Sequence, residues 1–453
     1  MRRALWLPLV ALPACGLVPS EEALTPFAGS AGFAVARAVE VCLGAARVIP
    51  PPAAAGAVCV AEGAVARACA ADAECAGIER CLCGRCIVEP CQGGNTCEGG
   101  RVCRDKRCTR SCTADGDCGQ GEQCAAGGCA RGCAADGDCH FGERCDALGD
   151  TCRAKLCSEA TPCGPGTRCE AASVAGELRE PEITEVGGEE VAYVELRSGP
   201  GSSAIHRAIM TTPIRWTVSP VEPVIAGAGA PSALVDGDRV ELYFGRDAGI
   251  SRAISTDGGY TFTVEAGALL TADLAWEAGF VGSPAVIRYL GHTYLFYEGG
   301  ARAGIGLARV EGGVATRVGD APVITPSAVA DPLFWRDVSE VSAPSAVIVA
   351  GALELYFTAR GVEGLDAHVG DAPLPADAND SIGLAATFDM KRFARSPTGP
   401  ALGRLTNLRT YLGEREASVI VRGNGTREIT FVGADASGEG LSGLVWAGAG
   451  EKK

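Results

Sequence analysis

No cysteine follows Cys169. All 23 cysteines of the 453-residue chain lie between Cys15 and Cys169, a compositional boundary between two regions built in different ways. Clustered Lys and Arg are also missing and the net charge is −15, which excludes a nucleic-acid surface, because phosphate binding needs grouped cations. Neutral or cationic partners are the expectation. No segment beyond the N-terminus is apolar for the length of a bilayer-spanning helix. Neither metal nor cofactor is expected. Cys83 and Cys86 form a lone pair of metal-like spacing with only His140 nearby, and Asp115/Asp117 and Asp136/Asp138 lack the remaining ligands of a calcium loop. These aspartates read as turn formers.

What the second region does have is a repeat. In PSALVDGDRVELYFGRDAGISRAISTDGGYTF, from Pro231, Val240, Leu242 and Phe244 alternate with Glu241 and Tyr243, the period-two pattern of a strand, with DGD and RDAG supplying turns. The unit recurs from Pro181, Pro284, Pro344 and Ala417, intervals of propeller-blade length. A single sheet of this size has an apolar face and two open edges, and radial closure of several copies hides both. The fold class expected is therefore all-β, with residues 181–450 a five-bladed β-propeller preceded by a small disulfide-rich region. A segment just before Pro181 is expected to complete the last blade.

Residues 1–14 carry Arg2, Arg3 and the apolar run ALWLPLVALPA, and Cys15 follows. This resembles a bacterial lipoprotein signal, with Leu12, Pro13 and Ala14 at the lipobox positions. The resemblance implies removal of the signal and acylation of Cys15, hence an exported protein held at an outer membrane or cell surface. An ordinary secretory signal cut nearby is the alternative. Residues 15–68 read as a tether or small cap in which Cys42 and Cys59 are close enough in sequence to pair, and residues 170–180 as a linker.

Between them, residues 69–169 repeat a unit of Cys, five residues, Cys, five residues, Cys, four residues, Cys, as in Cys112, Cys118, Cys124 and Cys129. The first unit carries an extra Cys83 and the last, Cys157, Cys163 and Cys169, lacks its fourth member. Such units bury little core, so cross-links must hold them, with connectivity unreadable from sequence. CTADGDCGQGEQCAAGGC and CAADGDCHFGERC resemble cysteine-rich modules of Dickkopf N-terminal type. The order along the chain suggests an anchor, a stalk of these units and a propeller at its tip.

Two further resemblances concern the propeller. Ser255–Phe262, STDGGYTF, resembles the Asp box of sialidases, and Asp257 is expected to cap a turn on the face away from any ligand. LFYEGGARAGIGLA, ELYFTAR and SIGLAATFD resemble the five-bladed glycoside hydrolases of the arabinanase and invertase type. That group places carboxylates at the blade starts to act as general acid and as base or nucleophile.

The aligned residues here are Glu180, Ala230, Ser283, Ala343 and Glu416. The acidic residue usual two places before the proline is replaced by Gly282 and Ser342, with Glu277 and Glu340 displaced nearby. Binding of a carbohydrate or other envelope ligand without hydrolysis is thus the reading reached. The alternatives are turnover by Glu180 with Glu340 or Glu416, and a protein-interaction role of the cysteine-rich units.

Loops leading into blades and loops after second strands share one face. On it stand Trp276 and Phe280, Trp335 and Arg336, and Arg409 and Tyr411, with Arg246, Asp247, Glu298 and Arg360 completing the rim. Aromatic rings there offer flat apolar faces to a sugar, against the alternative that the tryptophans pack between blades.

Overall fold

The computed structural model describes residues 33–43, 46–49, 57–61, 69, 74, 79–83, 85–88, 101–104, 107–119, 122–125, 127–135, 143–146, 151–154, 156–157, 167–170, 173–199, 201–326, 338–361, 368–369, 372–373, 380–396, 401–402, 413–423, 425–434 and 442–449. Five antiparallel sheets built on the repeat form the blades of an all-β propeller. Blade 2 is Gly229–Asp236, Arg239–Arg246, Gly249–Ser255 and Thr263–Val264, hydrogen-bonded in that order. Val240, Leu242 and Phe244 are buried as their alternation predicts, but Tyr243 is buried as well. The reason is stacking: each blade is covered on both faces, so its second strand has no solvent side.

Five apolar clusters hold the ring, and each bridges one blade to the next. Between blades 2 and 3, Tyr243, Ile250, Leu295 and Ala308 meet, and between blades 3 and 4, Phe296, Leu307, Leu353 and Phe357 do. Burial of this kind contributes about 25 cal/mol per Å² of apolar surface, so the junctions are the main stabilising element.

The ring closes with strands from both chain ends. Phe33–Ala38 (β1) adds antiparallel to Ser442–Ala449 and becomes the outer strand of blade 5. Glu40–Leu43 (β2) then pairs parallel with Arg215–Val218 of blade 1, and Ala46–Ile49 (β3) pairs with β2. The step from one blade to the other takes one residue. The N–H of Val39 donates to the Leu444 carbonyl at 2.8 Å, and that of Glu40 to the Ile214 carbonyl at 2.8 Å. The strand expected just before Pro181 is therefore supplied from much further upstream. Part of the stretch read as a tether is propeller, and residues 177–180, read as linker, belong to strand Glu177–Val186 of blade 1.

The cysteine-rich units consequently form an excursion rather than a stalk. They leave after β3 and return at Ser173–Ala175, which pairs parallel with β3. Small hairpins such as Glu122–Ala125 with Gly128–Arg131 repeat along them. Disulfides Cys112–Cys124 and Cys118–Cys129 join first to third and second to fourth cysteines of a unit, and Cys69–Cys81 and Cys133–Cys145 repeat the first of these links. The expected Cys42–Cys59 pairing is overturned: Cys42, on β2, is bonded to Cys83. The extra cysteine of the first unit thus ties that unit to the propeller. Asp115 and Asp117 do form a turn, with Asp117 accepting from the Thr113 and Ala114 N–H groups at 2.7 and 3.1 Å. Cys15, Asp136, Asp138 and His140 lie outside the described residues.

Candidate functional site

Each innermost strand is interrupted at its start by a register shift, and the residue in the shift has left-handed backbone. These residues are Glu180 (φ 41°), Ala230 (51°), Ser283 (40°), Ala343 (44°) and Glu416 (55°), the five positions aligned in sequence. None is glycine, and each left-handed residue costs about 1–2 kcal/mol. Fivefold repetition of that cost at one ring of positions marks the ring as built around something other than sheet stability.

Side chains from the second strands converge on the same ring. Glu195, Gly245, Glu298, Thr358 and Val432 stand opposite the position before each left-handed residue. Where the side chain can accept, it takes an N–H from the next blade: Glu195 Oε2 accepts from Ala230 at 3.1 Å, and Thr358 Oγ1 from Glu416 at 2.8 Å. Four carboxyl groups, Glu180, Glu195, Glu298 and Glu416, are thereby gathered at one end of the ring.

They are not equivalent. Glu416 is buried and takes both the Nε (3.1 Å) and Nη2 of Arg179, and the Glu180 N–H at 3.2 Å. Burial pushes its pKa up, but Arg179, Arg415 and the N–H of Glu180 outweigh that and hold it below the usual carboxylate range. Glu195 is bonded to Arg197 and to Ser203 Oγ at 2.7 Å. Glu180 has no cation within ion-pair distance among the described residues. Burial, then the charges of Glu416, Glu195 and Glu298, push its pKa well up, with Arg179 opposing.

Ser283 Oγ stands 3.3 Å from Glu180 Oε1 and 3.3 Å from Glu298 Oε2. A hydroxyl has one hydrogen, so both contacts are satisfied when protonated Glu180 donates to Ser283 and Ser283 donates to Glu298.

Above Glu180 opens a cavity of about 790 Å³. Its wall includes Glu177, Glu180, Glu195, Arg197, Arg246, Asp247, Phe280 and Ser283, with much bare glycine backbone between them. Of the sequence-predicted residues, Arg246, Asp247 and Phe280 line it. Arg246 donates to the Ala226 carbonyl at 2.9 Å.

Glu298 does not line the cavity but is hydrogen-bonded to Ser283, which does. Trp276 stacks on Tyr297 with centroids 6.0 Å apart and packs into the cluster between blades 2 and 3. It does not line the cavity. Arg360 is bound to Asp380 (2.9 Å) and Glu340 (3.0 Å), also away from it. Trp335, Arg336, Arg409 and Tyr411 lie outside the described residues.

Glu277, considered as a displaced acid, is fully buried and wholly engaged. Tyr297 Oη donates to it at 2.8 Å, Arg317 Nη2 at 2.7 Å, and it caps the N–H groups of Asp273 and Leu274. Asp257 of the Asp-box-like loop likewise accepts from the Tyr260 and Thr261 N–H groups at 3.1 and 3.0 Å. Hydrogen bonds led by those from Ser255 and Thr261 hold its pKa at about 2. A second loop of this kind, with Asp389 accepting from Lys391 and Arg392 N–H groups at 2.9 and 3.0 Å, occupies the same place in blade 4. Sequence reasoning missed Glu195 and Arg197. Their signal was the alignment of YVE in blade 1 with FYE in blade 3.

In sequence, the chain matches no family profile and no curated protein. In three dimensions it is similar to an exo-1,5-α-L-arabinanase from a bovine ruminal metagenomic library, at 13% identity and a TM-score of 0.45 over 61% of this chain and 94% of that one. It is also similar to an α-L-arabinofuranosidase from Podospora anserina in complex with cellotriose, at 10% identity and a TM-score of 0.45 over 61% and 91%. A GH32 β-fructofuranosidase from Bombyx mori gives 13% and 0.43 over 59% of each chain. At these identities no residue role is carried across.

Proposed function

We propose that this is an exported, envelope-associated protein, anchored through Cys15, whose propeller binds a carbohydrate without cleaving it. The observation that carries the reading is the composition of the cavity wall. Phe280 and glycine backbone offer flat surface, while Glu180, Glu195, Asp247, Arg197 and Arg246 offer polar groups at its edges. Against turnover stands the placement of the proposed partners of Glu180: neither Glu340 nor Glu416 lines the cavity. Each is occupied by arginine, Glu340 by Arg302 (3.3 Å) and Arg360, Glu416 by Arg179. Two carboxyls that flank a glycosidic bond must both face it.

One observation favours hydrolysis as a second reading, namely two carboxyls joined by the Glu180 N–H to Glu416 bond whose surroundings push the pKa of Glu180 up and that of Glu416 down. A glycan array on the full chain, with mass analysis of the same wells, separates the two. Intact bound glycan is expected. Released sugar would establish the hydrolase, and absence of binding would remove the cavity as a glycan site.

A further inference from the structure

Glu180, the carboxyl at the floor of the cavity, has no cation within ion-pair distance among the described residues, whereas Glu195 and Glu416 of the same ring are each paired with an arginine. On its own strand, Arg179 is spent on Glu416. From the neighbouring second strand, Glu195 faces it already bonded to Arg197. From blade 3 come Ser283 and Glu298, and from blade 5 Glu416, so the described groups packed around Glu180 are a hydroxyl and three carboxyls, opposed by the charge of Arg179, which is itself paired with Glu416. The other arginine of the wall, Arg246, is directed to the carbonyls of Ala226 and Gly227. The space in front is about 790 Å³, far larger than an ion needs and suited to sugar rings.

We propose that the cavity selects a glycan bearing a free amino group, whose ammonium sits against Glu180 and supplies the missing charge. This rests on the reading of the cavity as a carbohydrate site and narrows its ligand to amino sugars that are not acetylated. The proton balance is explicit. In the free protein, burial and the neighbouring carboxyls favour the neutral acid form of Glu180. An ammonium ligand converts it to carboxylate and one proton leaves to solvent, whereas a neutral sugar takes hydrogen bonds from the acid and releases none.

The test is calorimetric titration of the full chain at pH 6 and 0.15 M salt, in two buffers of different ionisation enthalpy. The probes are a β-1,4-glucosamine hexamer, its fully N-acetylated counterpart and a neutral arabino-oligosaccharide. The glucosamine hexamer is expected to bind about tenfold or more tighter than the acetylated one, releasing about one proton per site. Glu180→Gln is expected to abolish that preference and the proton release, bringing the free-amine and acetylated hexamers to the same affinity. Phe280→Ala is expected to weaken every glycan alike.

Equal affinity for acetylated and free-amine glycans overturns the inference and leaves the carbohydrate site standing. An amine preference that survives Glu180→Gln is general attraction to an acidic protein and overturns it too. No binding of any glycan overturns both.

Discussion

Ser418 Oγ accepts the backbone N–H of Ile183 at 3.0 Å, across the junction where the last blade meets the first. The same latch joins other blades. Glu182 Oε1 takes the N–H of Ala233 at 2.9 Å, Ser232 Oγ that of Val286 at 3.0 Å, and Ser345 Oγ that of Val419 at 3.3 Å. Blade 3 has Ala285 at this place and no oxygen to offer. Ser418→Ala strands a buried N–H and is expected to destabilise the fold by about 1–3 kcal/mol. Scanning calorimetry should show a lower Tm than for Ser202→Ala, a change in an exposed hydroxyl at the first residue of strand Ser202–Thr212.

Glu182 makes its latch with an ionisable group. Burial raises its pKa to about 7, with the Ala233 N–H and Ser232 hydroxyl opposing. A carboxyl whose folded pKa lies above its unfolded value of about 4.3 binds more protons when folded. Its contribution to stability is therefore fully present below the unfolded value and declines as pH rises to about 7. Glu182→Gln keeps an acceptor oxygen and cannot ionise. The Tm of the variant relative to wild type is expected to be higher at pH 8 than at pH 5. A constant offset would show that Glu182 does not titrate in this range.

Arg179 and Glu416 form the buried pair beneath Glu180. Glu416→Ala leaves the guanidinium without its partner and is expected to cost about 3–5 kcal/mol, read by urea unfolding. The paired variant Arg179→Met with Glu416→Leu should recover most of the loss, since an uncharged pair of similar volume avoids the desolvation cost.

The blade starts were legible because signals coincide there: an alternating strand, a turn before the second strand and, in all but the Ala417 copy, a proline. Their alignment located the left-handed ring at Glu180, Ala230, Ser283, Ala343 and Glu416 without any structure. β1 was not legible. FAVARA has no turn chemistry of its own and pairs with Ser442–Ala449 at the far end of the chain, a partner no local pattern can announce. Trp276 shows the limit of reading sites by residue type. It does stand in the loop before blade 3, yet its ring turns down onto Tyr297 and over Gly299, where any side chain would meet the indole.

Gly229 predicts the sensitivity of the cavity wall. A Cβ there would come within 2.3 Å of Glu195 Oε2. Gly229→Ala is expected to displace that carboxylate, release Arg197 into the cavity and weaken glycan binding. Gly227→Ala, which meets nothing, tests backbone strain alone at φ 63°. Titration calorimetry with a glycan positive on the array is the measurement, and equal loss in both variants would deny a role to Glu195.

The disulfide Cys42–Cys83 spans 41 residues and connects β2 to the first cysteine-rich unit. Replacing both cysteines by serine is expected to cost roughly 2–4 kcal/mol. Propeller unfolding followed by tryptophan fluorescence should shift to lower denaturant.

The path of the chain through β1, β2 and β3 before the cysteine-rich units also sets how the molecule responds to being pulled or cut. Among the described elements, a tension applied from the N-terminal side, as anchoring at Cys15 would impose, meets first the β1 ladder with Ser442–Ala449. The units lie off that line and carry none of it. A protease that nicks them separates nothing, because the upstream piece remains woven into blades 5 and 1 and the downstream piece is the rest of the ring.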